Sequence, residues 1–172
     1  SRFILVAAMN PCPCGFFGDA NRGCRCSQAQ LRNYRGRISG PLLDRIDIQI
    51  QVPATKFQDL QSIPAGNASA TMRASVAKAR DVQAARFAGS RKIRVNAAMG
   101  RREIETHCHL DEPAREVLNF AMGEMRFSPR AHDRILKVAR TIADMDGSAT
   151  VRPSDLHEAL QYRSLDRAMW GL

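Results

Sequence analysis

The stretch Ser128–Met145, SPRAHDRILKVARTIADM, settles what most of this chain must be. Ser128 is a residue type that caps a helix by accepting a backbone N–H, and Pro129 fits the first helical position, where no N–H is needed. Ala131, Ile135, Val138, Ile142 and Met145 then recur at helical spacing and form one apolar stripe. The spacing predicts a helix over 128–145, the clearest in the chain. The same signals recur on both sides of it. Downstream, a helix starts near Pro153 or Ser154 and runs past Leu160. Upstream, Glu112–Met125 has Pro113 in its first turn and Val117, Leu118 and Ala121 on one side, with Asp111 as the cap. Arg101–His109 reads as a weaker helix. Ser69–Phe87 carries Met72, Val76, Ala79 and Val82 at helical spacing and stops before Gly89. These segments predict a four- or five-helix bundle.

The first third reads differently. FILVAAM, Phe3–Met9, is a continuous apolar run, as in a strand covered on both faces of a parallel sheet. RIDIQIQV, Arg45–Val52, alternates: Ile46, Ile48, Ile50 and Val52 face one way, and Asp47, Gln49 and Gln51 the other. Between them lie a cysteine-rich loop, a short helix over Ser27–Arg35, and GRISGPLLDR, a loop with one helical turn. QSIPAGNASA marks a break near Gly66. The expected organisation is a small α/β unit over residues 1–66 and a helical unit over 67–172, mostly α overall. A chain opening directly on such a strand reads as a piece whose sheet partners lie upstream.

Among 172 residues, 44% are hydrophobic and 25% charged, a globular balance. No apolar run is long enough for a membrane span, and SRFILVAAMN leads into Asn, Pro and cysteines rather than a cleavage site. There are 26 basic and 17 acidic residues, a net charge of +9, and only Lys56, Lys78, Lys92 and Lys137 of the basic set are lysines. Guanidinium-rich surfaces suit phosphate partners, so a nucleotide or nucleic acid is the expected ligand class. The 6% aromatic share argues against a base-stacking platform.

Cys12, Cys14, Cys24 and Cys26 form C-x-C-x9-C-x-C. With no secretory signal, two disulfides are less fitting than a tetrahedral ion, and four thiolates leave it no open position. The expectation is structural zinc. Cys108, between His107 and His109, reads as an ordinary helix residue, because an i, i+2 pair of histidines points to different sides. Arg134, Lys137 and Arg140 read as a solvated helix face. Tyr162 and Trp170 read as packing anchors.

Three segments in order, LVAAMNPCPCG, RISGPLLDRIDIQIQV and SPRAHDRILKVARTIADMDG, followed by HEALQYRSLDR, resemble the magnesium-chelatase-like AAA+ ATPases, in particular the ComM/YifB group. The resemblance implies the C-terminal part of such a protein: the last strands of the ATPase core, with its four-cysteine loop, then the α-helical lid. It implies ATP and Mg2+ as cofactors of the full-length protein, self-association into a ring, and a motor acting on DNA, as in branch migration during transformation, in the cytoplasm. Asn10 matches the polar sensor that orients the attacking water, Arg45 the arginine finger, and Arg130 the second sensor at a helix N-terminus, with Asn10 and Arg130 facing the nucleotide. No G-x-x-x-x-G-K-[ST] occurs, and Asp111–Glu112 follows His-Cys-His-Leu rather than a buried strand. The phosphate cradle is therefore expected upstream, and the chain alone is expected to be monomeric and inactive. The alternatives are a non-enzymatic zinc module that binds nucleic acid, and a chelatase subunit working on a tetrapyrrole.

Overall fold

In a computed structural model, residues 3–19, 22–52, 66, 68–125 and 127–163 are described. Among them the chain forms seven α-helices: α1 Gln28–Arg35, α2 Gly40–Leu43, α3 Ser69–Arg86, α4 Arg101–His107, α5 Glu112–Glu124, α6 Pro129–Met145 and α7 Pro153–Gln161, with a 3-10 turn at Asn96–Ala98. The helices start where their caps sit. Ser27 accepts from the Gln30 N–H, and the Gln30 side chain accepts from the Ser27 N–H, a reciprocal box that closes the first turn of α1. Asp111 accepts from Ala114 N at 2.9 Å to open α5, and Ser128 from Ala131 N at 3.2 Å to open α6.

The core lies in the second, helical part. Phe87, Met99, Ile104, Leu118, Ile135, Leu136, Val151 and Leu156 are buried together where α6 packs on α3, α4 and α7. Among the described residues before position 53, the buried hydrophobic side chains are Cys12 and Leu31. So the helical part carries its own core, and the first part relies on its loop chemistry and on docking. The stripes hold where the partner helix reaches. Ala79 is buried but Met72 and Val76 are exposed, because the first half of α3 extends beyond the bundle; Met145 is likewise exposed at the end of α6.

Two expectations need correction. First, no strand forms among the described residues; one isolated parallel bridge, Leu110 with Val151, is present. Ile4 and Val6 are 86% and 90% exposed, and Phe3 and Leu5 on the alternate positions are 77% and 62% exposed, so neither face of that run is covered. A strand is defined by a neighbouring strand that takes its N–H and C=O groups in a ladder, and among the described residues neither segment has one. Second, Arg140 is not solvated. Its side chain is 1% exposed, its Nε donates to Asp144 Oδ1 at 3.0 Å, and its Nη1 and Nη2 donate to the carbonyls of Ala149 and Ser148. It ties the end of α6 to the loop leading into α7. Of the other two arginine-face residues, Lys137 is half-buried and donates to the Ala97 carbonyl, and Arg134 pairs with Asp47. The break near Gly66 adjoins residues 53–65 and 67, outside the described residues, as does Trp170.

The segment after α2 docks on the C-terminal helices at three points. Arg134 on α6 pairs with Asp47, the buried Arg163 donates from Nη1 to the Ile46 carbonyl at 2.8 Å, and Gln49 N donates to the Tyr162 carbonyl at 2.8 Å. Backbone groups carry two of these contacts, so the register of residues 46–49 is fixed independently of their side chains.

Candidate functional site

The four thiols are gathered. Cys12 and Cys14 sulfurs lie 3.3 Å apart, Cys14 and Cys24 3.6 Å, and Cys24 and Cys12 3.7 Å, with all four Sγ atoms within 4.8 Å of one another. Sulfurs about 2.3 Å from a central tetrahedral ion would sit about 3.8 Å apart. The loop makes this spacing with two tight turns. Gly15 N donates to the Cys12 carbonyl at 3.0 Å, and Gly15 takes a φ of 84°, a left-handed conformation that a side chain would strain. Backbone N–H groups of Phe16 and Arg25 aim at the Cys14 sulfur and lower that thiol to about 6. Burial pushes the Cys26 thiol up to about 12; the neighbouring Cys14, Cys24 and Cys12 sulfurs add to this, against a backbone hydrogen bond from Cys14. Three sulfurs in mutual contact resist ionising together, and a divalent cation supplies the charge that lets them. The donor set and spacing fit a soft or borderline metal ion held by all four sulfurs.

Cys108 stands apart. It caps the C-terminus of α4, is buried in the core, and burial pushes its thiol up to about 11. His107 packs edge-on against Phe87 with ring centroids 5.4 Å apart and does not join a metal cluster among the described residues.

The three polar residues of the expected nucleotide site occupy separate elements. Asn10 is exposed directly before the cysteine loop. Arg45 is exposed one residue past the C-terminal cap of α2, and its Nη1 donates to the Pro41 carbonyl at 2.6 Å. Arg130 is exposed in the first turn of α6. None of the three is held in a buried network, so each guanidinium or carboxamide is presented at the surface. Arg134, four residues beyond Arg130 on the same side of α6, contacts Asp47, two residues beyond Arg45. The segment carrying Arg45 and the helix carrying Arg130 are thus directly joined.

What the sequence reading missed is a buried ionic cluster joining α3, the 3-10 turn and α6. Arg86 grips Asp144 with both terminal nitrogens, at 2.7 and 2.5 Å. Asn96 accepts from Arg86 at 2.8 Å and donates to Asp144 at 2.8 Å and to Thr141 Oγ1 at 3.1 Å. Burial would raise the Asp144 carboxyl, but the bonds from Arg86 and Asn96 and the charge of Arg140 outweigh it, and the group is held below its ordinary value near 3.8. The i, i+4 spacing of Arg140 and Asp144 was the available signal; their burial was not readable from it.

Two models of the magnesium chelatase subunit family match the chain, one on each side of residues 61–65. The family described as magnesium chelatase, subunit ChlI C-terminal, matches residues 66–163, and the one described as magnesium chelatase, subunit ChlI, matches residues 1–60. The chain belongs to this magnesium-chelatase family. More particularly, it is 41% identical to the competence protein ComM of Haemophilus influenzae over all of this chain and 33% of that protein. It is 38% identical to the uncharacterized protein YifB of Escherichia coli over 98% of this chain and 32% of that protein. An uncharacterized protein of Mycobacterium bovis is 32% identical over 95% of this chain and 32% of its own length. The chain spans about one third of the length of these relatives. No helix among the described residues is long and apolar enough to cross a membrane.

Proposed function

We propose that the chain is the C-terminal part of a cytoplasmic, ring-forming, magnesium-chelatase-like AAA+ ATPase that acts on DNA. The observation that carries this is the match to ComM and YifB over nearly all of this chain, with both chelatase families aligned in the order core then C-terminal unit. The competence name of the Haemophilus protein and the +9 net charge support DNA as the partner. The 172 residues contain no phosphate-binding loop, so they do not by themselves make an ATP site. In this reading they contribute Asn10 as the water-orienting sensor, Arg45 as the finger to the next subunit and Arg130 as the lid sensor, and the rest of the whole protein supplies the phosphate cradle and Mg2+ site. Cys12, Cys14, Cys24 and Cys26 hold structural zinc, which closes a loop too short to build a core.

ATP turnover by the whole protein tests the reading. Arg45→Ala should cut turnover by roughly a thousandfold with ATP binding retained, because a finger acts on the transition state of a neighbouring site. Unchanged turnover removes the finger assignment. Metal analysis should find about one zinc per chain, by the four-thiolate logic. A chelatase role predicts instead metal insertion into a tetrapyrrole, which the same preparation can be assayed for.

A further inference from the structure

The arginines are not spread evenly. Up to residue 43 the sequence carries six arginines, Arg2, Arg22, Arg25, Arg32, Arg35 and Arg37, against one acidic residue, Asp19. The fold concentrates part of this charge on the cysteine loop. The Arg22 guanidinium lies 5.2 Å over the Phe16 ring and the Arg35 guanidinium 4.4 Å over the adjacent Phe17 ring. Phe16, Arg22, Gly23 and Arg25 line an open hollow of about 460 Å3. Arg22 and Arg25 are exposed, and the Phe17 ring is 40% exposed.

A guanidinium held over an aromatic ring, as Arg22 is over Phe16, loses little side-chain freedom when its N–H groups bind a ligand. Those N–H groups match the paired oxygens of a phosphodiester. The loop itself is fixed: the backbone N–H groups of Phe16 and Arg25 bond the Cys14 sulfur, and the Arg22 N–H bonds Asp19 Oδ1 at 3.3 Å. The thiol centre therefore sets the positions of the residues that line the hollow. Gly23, with no atom near a would-be Cβ, leaves the backbone open to close approach.

We infer that the cysteine loop is a docking surface for single-stranded DNA, with Arg22 and Arg25 on successive phosphates and the exposed Phe17 ring against a base. Low aromatic content over the whole chain argued against stacking; the fold places two adjacent rings at a loop where arginines converge. This rests on the proposed DNA role and assigns it a surface outside the nucleotide machinery. Charge complementarity chooses the partner, and the exposed ring beside the guanidinium groups chooses an unpaired strand over a duplex.

The test is fluorescence anisotropy with a labelled 30-nucleotide single strand and a 30-base-pair duplex, using the zinc-loaded chain over a range of salt. The double variant Arg22→Glu/Arg25→Glu should weaken single-strand binding at least tenfold and flatten the log–log salt slope by roughly 1.4, two contacts at about 0.7 each. Arg73→Glu/Arg80→Glu on the exposed side of α3, with the same change of net charge, should weaken it less than threefold. Phe17→Ala should weaken single-strand binding and leave the duplex unchanged. Zinc content and circular dichroism equal to wild type confirm that each variant folds. Equal losses from the two double variants, or effects seen only with duplex, overturn the surface while leaving the DNA role standing. A wild-type chain that binds neither probe at low salt also overturns the surface; the DNA role is then tested by the same assay on the whole protein.

Discussion

Asp144 receives four hydrogen bonds, two from Arg86, one from Asn96 and one from Arg140, while its side chain is wholly buried. Two guanidinium groups against one carboxylate leave the cluster dependent on that single anion. Removing one partner of a buried ion pair costs about 3–5 kcal/mol, because the remaining charge stays desolvated. Asp144→Ala should therefore lower unfolding stability by about that amount, read from urea midpoints at pH 7. The acid response follows from the direction of the shift. Folded Asp144 titrates below its unfolded value, and so does the buried Asp155 beside Arg152, where burial opposes and the Arg152 hydrogen bonds prevail. Their stabilisation is complete above the unfolded value, near 3.8, and is lost as pH falls below it towards the folded values. Wild type should lose stability steeply from about pH 4 downward, and Asp144→Asn should show a shallower loss over the same range. An identical acid profile in that variant would show that Asp144 is not the titrating group. Thiol chemistry separates the cysteines on the same grounds. After chelation, Cys14, whose thiol is lowered to about 6, should react first with a thiol reagent at pH 8, while the buried Cys108, raised to about 11, waits for global unfolding. Five equally fast thiols would contradict the burial of Cys108.

At the scale of elements, the helices were legible and the strands were not, for one physical reason. A helix satisfies its own backbone and announces its ends locally, so Ser27, Asp111 and Ser128 marked starts that the structure keeps to within a residue. A strand needs a neighbour, and the alternation in Arg45–Val52 specifies a face without saying what covers it. The cysteine cluster was legible because its spacing is a property of one loop, whereas the Arg86–Asn96–Asp144 cluster joins residues 48 and 58 positions apart. The same non-local logic governs how residues 44–49 are held. Asp47–Arg134 is partly exposed and contributes at most about 1 kcal/mol. The stronger hold is Arg163, whose guanidinium is 1% exposed and reaches the Ile46 carbonyl. Arg163→Met should accelerate hydrogen exchange of the Gln49 amide at least tenfold by releasing its bond to the Tyr162 carbonyl, with the amides of α6 unchanged. If Asp47→Asn has the larger effect on that amide, the ion pair rather than the buried guanidinium is what docks the segment.

Over the whole molecule, apolar surface is distributed against the usual order. The helical part buries most of its large apolar side chains, with Met72, Val76, Phe120 and Met145 exposed, whereas Phe3, Ile4, Leu5 and Val6 lie exposed in a row, and Ile48, Ile50 and Val52 are more than half exposed on one alternating face. Each exposed aliphatic side chain forgoes roughly 1.5–3 kcal/mol of burial, so the first run alone holds several kcal/mol that a covering surface would recover. Both runs have the residue pattern of sheet strands, Phe3–Met9 for a strand covered on two faces and Arg45–Val52 for one covered on one. Such patches attract apolar probes and neighbouring strands alike. The isolated chain should bind an environment-sensitive apolar dye in its native state. Ile4→Lys/Val6→Lys should remove most of that signal and leave the thermal midpoint within the scatter expected of surface changes, about 0.5 kcal/mol, because neither side chain touches the helical core. A large loss of stability in that variant would mean the run is already covered in solution. In that event the first part of the chain is held by contacts beyond the thiol loop and the docked segment.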